Sequence, residues 1–140
     1  MNSLISVFSD QRGILDTSVL IDLDQPEVFA QLPRESAVAA ISLAELAAGP
    51  VLAFDRVISA RRQFRLQQVE ATFEVIEFGS GAARAYGQVV SAVHAHGRSH
   101  RSRVADLLVA ATAINERAAL YTRNPSDFEG LEDLLQVIGV

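Results

Sequence analysis

The chain contains no cysteine and no lysine among its 140 residues. The first absence excludes disulfides, thiol nucleophiles and thiolate zinc sites. The second excludes the phosphate-gripping lysine of a P-loop and any Schiff-base mechanism. Long apolar runs are missing too. None approaches the roughly 20 residues that span a bilayer, and residues 4–8 follow no basic region and fall short of a secretory apolar segment of about 7–15 residues. A soluble, cytoplasmic protein with no membrane association is expected. Positive charge is in the minority, with 12 arginines against 17 acids and a net charge of -5. That balance argues against a protein coated for phosphate. Yet the arginines cluster: Arg61, Arg62 and Arg65 form one group, and Arg98, Arg101 and Arg103 form another with His96 and His100.

With 49% hydrophobic residues, the chain fits one domain with a sizeable core. Residues 13–140 read as that domain and residues 1–12 as an amino-terminal extension. Gly13-Ile14-Leu15 is a short buried strand ending at Asp16, followed by the apolar Val19-Leu20-Ile21. A second apolar run covers 37–41, and Ser42-Leu43-Ala44-Glu45 opens a helix that Gly49-Pro50 should stop. Helices are expected over 51–70, 82–96 and 102–118. Further strands are expected over 73–78 and 120–122, with a fifth over 135–138. Apolar strands alternating with helices imply an α/β fold with a central parallel sheet of four to five strands covered on both faces. Open sheets of this kind bind ligands beyond the strand carboxyl ends.

Acidic and amide residues fall at that edge: Asp16 after the first strand, Glu45 after the second, Asn124 and Asp127 after the fourth. Asp106 joins them near the start of an almost wholly apolar helix. Each has a structural explanation. Asp16 and Asp127 suit turns or helix caps, Ser42-x-x-Glu45 has the form of a capping box, and Asp106 suits a first helical turn if Ser102 is the cap. Taken together, carboxylates facing one crevice repel one another without a cation between them. A buried Asp106 would be costly unless paired or coordinating. Oxygen donors select Mg²⁺ or Mn²⁺ over zinc or copper. The histidines His94, His96 and His100 carry only weak zinc spacing, because they fall in a Gly/Ser-containing loop without helical register.

The segments Ile14-Leu15-Asp16-Thr17-Ser18-Val19-Leu20-Ile21, Ile41-Ser42-Leu43-Ala44-Glu45-Leu46, Ala105-Asp106-Leu107-Leu108-Val109-Ala110-Ala111-Thr112-Ala113 and Tyr121-Thr122-Arg123-Asn124-Pro125-Ser126-Asp127-Phe128 resemble the PIN-domain ribonucleases. Within that superfamily they are most similar to VapC toxins. The resemblance implies a three-layer α/β/α domain and Mg²⁺- or Mn²⁺-dependent endonuclease activity on RNA. It places the family acids on Asp16, Glu45 and Asp106, and the fourth position on Asn124 or Asp127. Thr17, Ser18 and Thr122 match hydroxyls that line the family pocket. A VapB-type antitoxin whose tail enters the acidic pocket, and a homodimer, are implied partners. Arg98, Arg101 and Arg103, just before the Asp106 helix, are candidates to guide the RNA backbone, although a solvated loop would read the same.

Two rivals share this topology. One is a catalytically silent PIN-like module that binds RNA or a partner. The other is an aspartate-based phosphatase or phospho-acceptor domain. Against the second stand the missing lysine and the Thr17-Ser18 that follow Asp16 in place of an Asp-x-Asp motif.

Overall fold

Side chains alternate across a strand, and that alternation sorts the apolar residues into two cores. Ile14 and Leu120 belong to one, Leu15, Ala119 and Tyr121 to the other. The computed structural model describes residues 12–140. Five parallel strands form one sheet in the order β3-β2-β1-β4-β5: β1 is Gly13–Leu15, β2 Ser36–Ala39, β3 Glu74–Ile76, β4 Ala119–Thr122 and β5 Val137–Gly139. β1 is the central strand, β4 is its inner neighbour, and both are buried throughout. Their register pairs Leu15 with Tyr121, while Leu15 faces Val38 on the other side. The carboxyl ends of β1, β2 and β4 are therefore level.

Helices cover both faces, giving the expected three-layer α/β/α arrangement. Helices α5 (Ser80–Ala95) and α6 (Val104–Asn115) bury Val89, Val93, Leu107, Val109 and Ala110 in the first core. Helix α1 (Thr17–Ile21), α2 (Pro26–Phe29), α3 (Ala40–Val51) and α4 (Arg56–Thr72) contribute Val19, Leu20, Val28, Leu46 and Val69 to the second. Among the described residues, no helix is long and apolar enough to cross a membrane. The expected extension at residues 1–12 lies outside the described residues except for Arg12. Its guanidinium pairs with Glu74 at 3.0 Å and with Glu116.

Several boundaries differ from the sequence expectation. Gly49-Pro50 does not stop α3, which ends at Val51. Proline loses the N–H that would reach the Leu46 carbonyl and crowds that carbonyl with its ring, and one residue from the helix end α3 tolerates both. The break falls instead at 52–55, and Asp55 caps α4 by accepting the Ile58 N–H at 2.9 Å. Ile41 and Ser42 lie within α3, whose cap residue is Ala39, so the capping box is absent. Ser102 does not cap α6 either: it sits in a 3-10 turn, Arg101–Arg103, and Arg103 holds the cap position. The apolar run after Asp16, given no element from the sequence, is the short helix α1. Helix α5 ends at Ala95, close to the expected 96, so His94 stands on the helix and not in the loop that carries His100.

Candidate active site

The order β3-β2-β1-β4-β5 reverses direction between β1 and β4, and the segments leaving these two strands diverge there to open a crevice. Asp16 stands at its floor, 4% exposed. Its N–H donates to the Tyr121 carbonyl at 2.8 Å, continuing the β1–β4 ladder. Asp16 occupies the cap position of α1, yet its carboxylate makes no cap bond. Instead Oδ2 accepts the hydroxyls of Ser18 at 2.8 Å and Thr122 at 2.9 Å. Both hydroxyl oxygens accept in turn: Ser18 Oγ takes the Arg123 N–H and Thr122 Oγ1 the Asn124 N–H, each at 3.0 Å. A buried carboxylate needs such donors. With Oδ2 engaged, no hydrogen bond to the second oxygen, Oδ1, is seen among the described residues.

Helix α3 begins directly after β2 and carries Ser42 and Glu45 toward the same edge. Ser42 is fully buried, whereas Glu45 is exposed. Thr17 stands between them, its Oγ1 at 2.9 Å from Ser42 Oγ and 2.7 Å from Glu45 Oε1. A carboxylate only accepts, so the Thr17 hydrogen goes to Glu45 and Ser42 donates to Thr17. Ser42 was missed from the sequence as a site residue because the capping-box pattern accounted for it. The available signal was a hydroxyl inside the apolar stretch 37–46.

Asp106 occupies the first turn of α6 and is half-buried. Its carboxyl is pushed up from 3.8 to about 6, first by burial and then by the charges of Asp16, Asp127 and Glu45, while Arg103 opposes the rise. The four carboxylates therefore share one electrostatic field. Asp127 lies in the 3-10 turn Pro125–Phe128, with its N–H donating to the Asn124 carbonyl at 3.0 Å. The Asn124 side chain is exposed.

Of the arginines that are candidates to guide RNA, Arg98 and Arg103 contact a neighbouring turn. Arg98 Nη1 donates to the carbonyls of Ser126 and Glu129 at 3.2 and 3.4 Å. Arg103 Nη1 donates to the Asp127 carbonyl at 2.9 Å and lies 3.2 Å from its carboxylate. Both fasten the turn that carries Asp127. Arg101 is exposed. The second arginine group lines a groove of about 470 Å³ beside Thr17 and Glu45, formed by Arg61, Arg62 and Arg65. Within it Arg65 holds the Leu20 and Ile21 carbonyls at 2.6 and 2.5 Å. His94 Nε2 and His100 Nδ1 lie 3.0 Å apart as a pair.

The donor set is carboxylate and hydroxyl oxygen, which suits a hard divalent cation. Among the described residues, no three carboxylate or imidazole side chains stand close enough to enclose an ion by themselves. Direct ligation would thus involve few protein oxygens, as Mg²⁺ with its retained waters tolerates.

A parallel three-layer domain with acids gathered at its switch point defines a class of α/β proteins that act at the strand carboxyl ends. The profile of the PIN domain matches residues 13–132. Ribonuclease VapC5 of Mycobacterium tuberculosis is 31% identical over 127 residues, covering 89% of this chain and 91% of that protein. The crystal structure of VapBC-5 from Mycobacterium tuberculosis, a member of the VapBC family of toxin-antitoxin systems, superposes with a TM-score of 0.76 at 29% identity, covering 92% of this chain and 98% of that one. FitAcB from Neisseria gonorrhoeae gives a TM-score of 0.75 at 26% identity, over 90% and 96% of the two chains. The chain belongs to the PIN-domain family, in its VapC group of toxin–antitoxin toxins.

Proposed function

We propose that this protein is a divalent-cation-dependent endoribonuclease, the toxic half of a toxin–antitoxin pair. The observation that carries the reading is the meeting of Asp106 with Asp16, Asp127 and Glu45 at one crevice, where burial first and then the charges of the other three push the Asp106 carboxyl up to about 6. Carboxylates so arranged favour a cation among them. Asp16 and Asp106 are the ligands we assign to Mg²⁺ or Mn²⁺, with Glu45 and Asp127 acting through water. We assign the fourth role to Asp127 over Asn124 because the Asp127 charge acts on Asp106. A bound ion would supply a nucleophile at neutral pH and neutralise charge that builds on the phosphodiester. Ser18 and Thr122 hold Asp16 in one orientation, leaving Oδ1 available. Ser42, through Thr17, orients Glu45, which is the exposed carboxylate placed to accept a proton from water.

RNA is the substrate we assign, a VapB-type antitoxin the regulator and a homodimer the assembly. VapC5 of Mycobacterium tuberculosis is named a ribonuclease, and the similar VapBC-5 structure is described as a toxin-antitoxin system. The test is cleavage of structured RNA with Mg²⁺ or Mn²⁺, against EDTA and against Asp106→Asn. Cleavage by the unsubstituted chain alone, and only with the ion, is expected. Equal cleavage by both in a clean preparation would sink the site, and no cleavage by either would favour a silent RNA- or partner-binding module.

A further inference from the structure

Arg103 occupies an unusual place for a residue next to an acidic crevice. It is the cap residue of α6, three positions before Asp106, and its guanidinium reaches across to the turn that carries Asp127. One nitrogen, Nη1, serves both the Asp127 carbonyl at 2.9 Å and the Asp127 carboxylate at 3.2 Å. Arg98 holds the same turn from its other side through the Ser126 and Glu129 carbonyls. The turn is therefore anchored twice through backbone carbonyls, and the Arg103–Asp127 charge contact is not needed to keep it in place. That contact is also open to solvent, the side chains retaining 32% and 36% of their surface. Solvated pairs of this kind are weak and readily opened.

We propose that Arg103 is a resident counter-cation of the crevice, competing with the divalent ion for Asp127. The inference rests on the divalent-centre reading given above. Arg103 satisfies the Asp127 carboxylate and lowers the negative charge that an incoming cation meets. A doubly charged ion gains more from the same carboxylate, and the backbone bond to the Asp127 carbonyl keeps Arg103 close when its charge contact opens. Arg103 is thus a positioning residue that sets the ion concentration at which the centre fills, a different role from gripping RNA.

The experiment is Mn²⁺ titration of the purified full chain by calorimetry, without RNA. The chains compared are the unsubstituted protein, Arg103→Gln, Arg103→Lys, Asp127→Asn, the Arg103→Gln/Asp127→Asn double variant and Asp106→Asn. Removing one positive charge at crevice distance should tighten Mn²⁺ binding roughly fivefold in Arg103→Gln. Arg103→Lys, which keeps the charge, should stay within about twofold of the unsubstituted chain. Asp127→Asn should weaken binding more in the Arg103→Gln background than alone, a non-additivity that a merely structural arginine would not produce. Unchanged or weaker binding in Arg103→Gln, or equal tightening in Arg103→Lys, would overturn the competition while leaving an Asp106-dependent centre standing. Absence of any Asp106-dependent Mn²⁺ binding would overturn the divalent-centre reading, and this inference with it.

Discussion

Thr122 donates its hydroxyl to Asp16 across 2.9 Å, joining the ends of the neighbouring strands β1 and β4 inside the crevice. Thr122 is fully buried and also accepts the Asn124 N–H. Thr122→Val keeps the shape and deletes both bonds. It should cost about 1–3 kcal/mol in urea unfolding at pH 7. Activity should fall as well, because Asp16 would then be held by Ser18 alone. A variant as stable as the parent would remove Thr122 from the support of Asp16.

Asp106 should make the ion-free protein less stable as pH rises. Its folded carboxyl titrates near 6 against an ordinary 3.8, so between these values the folded state binds more protons than the unfolded one. Stability contributed by the protonated form is present at the acidic end of that window and lost as pH climbs through about 6. Asp106→Asn removes the penalty. Its melting temperature should exceed the parent's by a few degrees at pH 7.5 and match it near pH 4, provided chelator is present. A constant difference across the range would contradict the sign.

The same proton couples to the ion. Mg²⁺ or Mn²⁺ bound near pH 6 should displace it, so affinity should fall as pH drops through 6 and rise to a plateau near pH 8. Calorimetry in buffers of different ionisation enthalpy reads the released proton directly. Added ion should also raise the melting temperature at pH 7.5, following ligand linkage.

Glu45 offers a separation of activity from stability. It caps nothing in α3 and is exposed, accepting the Thr17 hydroxyl. Glu45→Gln can keep that bond. Stability should change by less than about 0.5 kcal/mol, while cleavage should fall roughly 10²-fold if Glu45 takes the proton. A melting loss as large as the activity loss would return Glu45 to a structural role.

Gly13 is fixed by space. A Cβ there would lie 2.6 Å from both Pro33 Cγ and Tyr121 Cε1. Gly13→Ala should destabilise by about 1–3 kcal/mol through forced repacking, measured by denaturant midpoint.

Ile14, Leu15 and Leu120 made the layering legible, because fully apolar short strands between helical segments imply a sheet covered on both faces. The acids' proximity to one edge followed from topology, since a parallel sheet puts the residues after β1, β2 and β4 at one end. What stayed hidden was everything decided by side chains meeting across long separations. Ser42 and Glu45 fit a capping box locally, yet α3 starts two residues earlier and both turn to Thr17. Pro50 reads as a terminator but is tolerated in a last turn. Arg98 and Arg103 read as candidates to guide RNA or as part of a solvated loop, and only the fold brings the 125–129 turn within their reach.

The placement of β4 between β1 and β5 has a consequence for biosynthesis. Asp16, Ser18, Ser42, Glu45 and Asp106 all precede Thr122 in the chain, yet Asp16 owes half of its hydroxyl support to that residue. A nascent chain that has not yet released β4 from the ribosome carries most of the acids without the strand that aligns the first of them. The crevice thus becomes whole only when β4 closes onto β1, so the damaging capacity we assign to this protein waits on a residue that follows Asp16, Glu45 and Asp106 in the chain.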